Sequence, residues 1–155
     1  MKIVYRLEAK RYWGHDDEDD EDIETTFLLG HFSSLALLEK AVKECLAAGY
    51  PEKQLFISSF FDNFKSGQKY VYVLSHMYSV LQDDRYTDYE YLFPPFSNRK
   101  KCLTLKEKLS KKDKFALNPN RIYDSEFPDG FCLNRHELDV LDLQKPTKKT
   151  IEEVF

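Results

Sequence analysis

Glycine is scarce in this chain, 5 residues in 155, and each glycine stands alone. A loop that cradles phosphate with backbone N–H groups needs closely spaced glycines ahead of a helix, so nucleotide chemistry of that kind is excluded. Cysteine is scarce as well: Cys45, Cys102 and Cys132 are odd in number and widely spaced. They fit reduced thiols packed as small apolar groups, and argue against a disulfide framework or a zinc site. Of the four histidines, His136 is followed by Glu137 but by no second histidine at helical metal-ligand spacing, so no zinc-binding helix motif exists. Long apolar runs are missing too. The opening strand pattern meets a charge at Arg6, which leaves nothing long enough for a signal peptide or a membrane span. The expectation is a soluble, cytoplasmic protein with no membrane partner.

What the chain does contain is aromatic residues, 12 Phe, 10 Tyr and one Trp, beside only 6 prolines. This argues for ordered strands and against a disordered chain, despite 32% charged residues. With 42% hydrophobic content over 155 residues, the expectation is a single compact domain, 1–155, with one substantial core. Within it, 1–64 and 65–143 read as two versions of one unit, and 144–155 as a tail or short helix beginning at Thr147 or Thr150. Val4-Tyr5-Arg6-Leu7 returns as Val71-Tyr72-Val73-Leu74. The stretch from Phe27 to Ser34 returns as Tyr91 to Asn98.

Each half reads strand, strand, helix, strand. The first strands are expected over Lys2–Tyr12 and Lys69–Val80, and the second over Glu24–His31 and Asp88–Phe93. The acidic run and 82–87 are the intervening loops. A helix follows a Phe-Ser pair in both halves, capped by Ser33 or Ser34 in the first and by Ser97 or Asn98 in the second. Leu38, Ala41 and Cys45 fall on one helical face, and Cys102, Leu105 and Leu109 repeat that spacing. Gly49 is a natural stop, because it can take the left-handed conformation that ends helices. Third strands are expected over Gln54–Phe61 and Phe131–Val140. The inserted stretch 113–130, rich in Asn, Pro and Asp, reads as a surface loop. The predicted fold is α+β: two pseudo-symmetric ββαβ repeats forming an antiparallel sheet assembly with the helices packed on one face.

The Val-Tyr-x-Leu opening, the Phe-Ser-Ser before a helix, and the run from Phe127 to Asp139 (Phe-Pro-Asp-Gly-Phe-x-Leu-x-x-x-Glu-Leu-Asp) resemble small bacterial domains of unknown function built on a strand-strand-helix-strand unit. The second half matches the ending best; the first lacks the Asp-Gly turn and the Glu-Leu-Asp ending. The resemblance implies a bacterial or phage origin and a setting rich in defence and toxin-immunity genes. It implies no catalytic residues.

Charge is unevenly spread. Residues 1–64 carry 7 basic and 13 acidic groups, whereas 65–155 carry 16 and 14. The first excess comes largely from Asp16, Asp17, Glu18, Asp19, Asp20, Glu21 and Asp22, seven consecutive carboxylates at an expected hairpin tip. One reading is a solvated loop that aids solubility. The other is a docking surface for a basic partner, where complementary potential speeds association. The run lacks the spacing and turn glycine of a calcium loop. Basic groups crowd 99–114, the expected second helix, but a pI of about 5.6 and the acidic run argue against nucleic acid as the main partner.

No nucleophile with an adjacent base and no poised pair of carboxylates is evident, so the sequence assigns no catalytic, cofactor-binding or metal-binding residue and no cofactor. His31 and His76 read as partly buried, hydrogen-bonded strand residues. Cys45, on a buried helix face, reads as a poor nucleophile. The leading expectation is a non-enzymatic protein-binding module, such as an immunity or inhibitor protein covering a basic toxin or nuclease. The acidic run Asp16–Asp22 would steer the partner, with Trp13, Tyr86 and Tyr89 as aromatic anchors. The rivals are a small enzyme with a site between the repeats, using His76 or His136 with a carboxylate, and a nucleic-acid binder acting through 99–114. Exposed strand edges leave a homodimer open.

Overall fold

The computed structural model describes residues 2–16 and 21–143, with side chains for 2–10 and 26–143. The element order is β1 (Lys2–Asp16), β2 (Glu21–Phe32), α1 (Leu35–Ala47), a 3-10 turn (Glu52–Gln54), β3 (Leu55–Asp62), β4 (Tyr70–Gln82), β5 (Arg85–Leu92), α2 (Arg99–Ser110) and β6 (Phe131–Glu137). Strand-strand-helix-strand thus occurs twice in an α+β fold with two three-stranded sheets, ordered β2-β1-β3 and β5-β4-β6. No helix among the described residues is long and apolar enough to cross a membrane. The tail helix expected within 144–155 lies outside the described residues.

Contacts gather the chain into two compact units. One holds Ile3–Ser59 together with 138–143, and the other holds Phe60–Glu137 with Lys2. In the first unit, Leu7, Ala9 and Leu29 from the sheet meet Leu38, Ala41 and Cys45 from α1 in a closed apolar cluster. The helical stripe expected from spacing is therefore the buried one; each large aliphatic enclosed there contributes roughly 1.5–3 kcal/mol. Ser34 caps α1 by accepting from the Leu37 N–H. At the other end Tyr50 N–H donates to the Cys45 carbonyl and Gly49 N–H to that of Leu46. Gly49 takes φ +97°, and Tyr50 packs into the core behind it, so the helix closes on a left-handed glycine with an apolar anchor.

In the second unit Leu74, Cys102, Leu109, Phe115 and Phe131 form the core, and Asn98 caps α2 from its side chain. The repeat extends to register. Tyr5 lies opposite Phe32 in the β1–β2 pair, and its counterpart Tyr72 exchanges both backbone hydrogen bonds with Phe96.

Three expectations about local structure need correction. The stretch 82–87 is not a loop: β4 runs to Gln82, β5 starts at Arg85, and only Asp83 and Asp84 turn, with φ +53° and +61°. The insertion 113–130 is not wholly a surface loop, since Phe115 is buried in the core and Ile122 bridges Ser79. The last strand stops at Glu137 rather than Val140, because the chain then leaves that sheet. Leu138 pairs in parallel with His31, and Asp139 and Asp142 N–H groups donate to the carbonyls of His31 and Leu29 at 2.8 Å. Gly30 makes room for this passage: a Cβ there would stand 2.6 Å from the Val140 carbonyl oxygen.

The two helices have matching supports. Asp62, at the end of β3, accepts from the Ser97 N–H at 2.7 Å and pairs with Lys101 at the start of α2. Asp139, just past β6, accepts from the Ser33 N–H at 2.8 Å and from its hydroxyl at 2.7 Å, ahead of α1. Each helix start is thus held by a carboxylate arriving from the third strand of the other repeat. A negative group there satisfies N–H donors that the helix itself cannot and complements the helix dipole.

Candidate partner-binding surface and the buried histidines

The described ends of the acidic run lie in the β1–β2 pair. Asp16 pairs with Glu21 and His15 with Asp22 at the far end of the β1–β2 ladder. Asp16, Glu21 and Asp22, expected in a loop, therefore belong to strands; a continuing ladder satisfies their backbone groups whatever their side chains prefer. Asp17, Glu18, Asp19 and Asp20 lie outside the described residues. The ladder register shifts between Tyr12 and Gly14, opposite Glu24 and Ile23, so Trp13 is the extra residue of a β-bulge, a feature that increases the local twist of a strand. Trp13 and the described part of the acidic run thus share one hairpin.

Tyr86 and Tyr89 share β5. Tyr86 is 66% exposed and Tyr89 41%, with Tyr86 opposite Leu81 and Tyr89 opposite Tyr78. Three positions apart on a strand, they point to opposite faces, so they do not form a joint anchor. Tyr89 is also engaged, stacked on Tyr78 at 5.1 Å between ring centroids.

The basic stretch divides similarly. Lys101 is bound to Asp62, Lys106 pairs with Asp129 at 2.9 Å, and Lys114 lies 4.3 Å over the Tyr91 ring. Arg99, Lys100, Lys108, Lys111 and Lys112 remain exposed along α2 and its exit. Beside the start of α2 lies an open groove of about 530 Å³, lined by Asn63, Lys65, Lys69, Tyr72, Asn98 and Lys101 among others.

Both central histidines are completely buried. His31 sits opposite Arg6 in the ladder, and its Nε2 accepts the Arg6 Nε–H at 3.0 Å. That nitrogen is therefore unprotonated. Burial draws the Arg6 guanidinium down to about 10, against the supporting charge of Glu8.

His76 departs from the expectation of a hydrogen-bonded imidazole: neither ring nitrogen has a hydrogen-bond partner among the described residues. Phe131, Phe115, Tyr78 and Tyr123 surround it edge-on, at 4.6, 5.1, 5.6 and 6.4 Å between ring centroids. Gly130 closes the cage. A Cβ there would stand 2.7 Å from His76 Nε2 and 3.0 Å from the Met77 carbonyl oxygen, and at φ +84° a side chain would be strained as well. An unpaired buried polar group costs about 1–3 kcal/mol. Enclosed in this way, His76 offers no face to a substrate.

All three cysteines are free and buried. Burial pushes the Cys45 and Cys102 thiols up, Cys102 to about 11, the opposite of nucleophile activation. No cluster of metal-ligating side chains occurs among the described residues.

Periodicity did not reveal the Arg6–His31 pair, the two strand-end carboxylates or the His76 cage. One signal was available for the carboxylates: an aspartate stands at the close of the third strand in each repeat, Asp62 as its last residue and Asp139 two residues past it. No protein-family model, no curated protein and no solved structure matches this chain.

Proposed function

We propose that this protein is a non-enzymatic protein-binding module that presents the end of its β1–β2 hairpin to a basic protein surface, such as that of a toxin or nuclease. The observation behind this reading is that Asp16 pairs with Glu21 and His15 with Asp22 at the far end of the β1–β2 ladder, all but His15 being members of a seven-residue acidic run. Like charges directly across an antiparallel pair destabilise it, so a cationic partner would relieve repulsion already present in the free protein. Concentrated charge also steers a partner and raises its association rate. Trp13, at the bulge in the same hairpin, is the aromatic group closest in the ladder to that end.

The test compares the tagged parent with a variant in which Asp16–Asp22 are changed to Ser and Asn. Both would be used to capture proteins from the native host, with elution by salt. A basic protein held only by the parent, whose association with the variant is slower and less salt-dependent, is the expected outcome. An unchanged association rate would remove the steering role.

A second reading has one observation in its favour. The groove at the start of α2 carries Lys65 and Lys69, and the exposed Arg99 and Lys100 belong to the first turn of that helix, an arrangement suited to a phosphate backbone. Weak, salt-insensitive retention on a polyanion resin would dispose of it.

A further inference from the structure

His76 is the one fully enclosed side chain of the Phe60–Glu137 unit whose polar atoms both lack a hydrogen-bond partner among the described residues. Buried polar groups are nearly always paired, so this exception calls for an explanation. One side of its cage is β4 and β6, through Tyr78 and Phe131. The other is the 113–130 segment, through Phe115, Tyr123 and Gly130.

That segment has no helix or strand of its own. It is fastened to β4 by the Ser79–Ile122 bridge and by the Met77 N–H donating to the Gly130 carbonyl. Arg121 lies over the Tyr78 ring at 4.0 Å and donates to the Lys114 carbonyl. Few backbone bonds therefore oppose its opening, and such segments belong to the low-stability end of a fold.

We propose that His76 is an acid-sensitive latch: protonation of its imidazole releases the 113–130 segment from β4 at mildly acidic pH. A neutral imidazole tolerates an aromatic cage, but an imidazolium carries two N–H donors and a charge, and the closed cage sets against it only the Asp129 backbone, outweighed by burial among four aromatic rings and by Arg121. The side chains of the titratable and charged groups around it supply no second acceptor. Tyr78 is the cage wall on β4, and Tyr91 lies directly across from His76 on β5. Lys114, Arg121, Tyr123 and Asp129 belong to the segment itself. Arg121 is a like charge, while Asp129 is already engaged by Lys106 from α2 and by the Phe131 N–H. Opening the segment lets water solvate the cation.

The direction of the effect follows. Burial first, and Arg121 second, hold the folded-state pKa of His76 below its ordinary 6.5, with the Asp129 backbone and then its carboxylate opposing. The open state therefore binds more protons in the window below 6.5. The closed state has its full advantage above that pH and loses it as pH falls towards the folded-state value.

The test is hydrogen exchange of 113–130 in the full chain between pH 7.5 and 5, corrected for intrinsic rates, in the parent and in His76→Phe. It is paired with an NMR titration of the His76 ring protons in the parent. In the parent, the open fraction should rise below pH 6.5 by up to tenfold per unit, as one linked proton dictates. It should stay flat in His76→Phe, which retains every other histidine. Equal pH dependence in both proteins would overturn the latch. So would a His76 ring that titrates near 6.5 while the segment stays protected, a readout that stands even if the Phe variant does not fold.

Discussion

Asp62, the last residue of β3, has a carboxyl held well below the usual range. Burial would raise it, but Lys101 and the Ser97 N–H more than offset this and bring it to about 2 from an ordinary 3.8. A group depressed in the folded state contributes stability above its unfolded value and loses it as pH falls through its folded one, here between about 4 and 2. Asp62→Asn should therefore cost about 1–2 kcal/mol at pH 7, shrinking towards zero near pH 2. Urea unfolding of both proteins at neutral and acidic pH reads this directly. An equal loss at every pH would assign the effect to packing rather than charge. Nothing in local sequence showed what Asp62 would meet, because Ser97 and Lys101 lie 35 and 39 positions away.

The β4–β5 hairpin turns on two aspartates with positive φ, which matches a two-residue turn of the type that favours Asn-Gly. Asp83→Asn with Asp84→Gly should stabilise the protein by roughly 0.5–1 kcal/mol, through relief of strain and of repulsion between neighbouring carboxylates. A rise in melting temperature is the expected outcome; a fall would mean that the aspartates have partners that the turn geometry does not require. The sequence suggested a longer loop here because Asp83-Asp84-Arg85 lacks the usual turn glycine. The strand resumes at once because Arg85 to Leu92 all find partners on β4. Phe115 makes the complementary case: its neighbours Lys114, Asn118 and Pro119 suggest a surface, yet the ring is 7% exposed within the second core.

For the whole molecule, the main feature is that sequence halves and contact units do not coincide. Residues 138–143 follow β6 but pack with the first unit, where Leu141 and Leu143 join the α1 core and Asp139 holds Ser33. Ending the chain after Glu137 should therefore reduce hydrogen-exchange protection at the start of α1 and along β2, about 100 positions upstream, and leave α2 protected. Undiminished protection in α1 would show that those contacts add nothing to stability. The units also differ in charge: the Phe60–Glu137 unit with the first two residues carries 14 basic and 11 acidic groups, and the remainder 9 and 16. This asymmetry is in keeping with the proposed docking of a cationic partner.

Local order was legible in the sequence. A period of two marks the strands, a spacing of three and four marks Leu38-Ala41-Cys45 and its copy, Ser34 and Asn98 mark helix starts, and Gly49 marks a stop; each is set by residues within a turn or two of one another. The duplication itself was legible too, because it repeats those same local signals in the same order. Tertiary structure decided which distant groups meet: Asp139 with Ser33, Asp62 with Lys101, Arg6 with His31, and His76 with a cage drawn from β4, β6 and the 113–130 segment. These pairings depend on chain crossings and on the competition for burial among all apolar surfaces at once, and no periodicity in the sequence records the outcome of that competition.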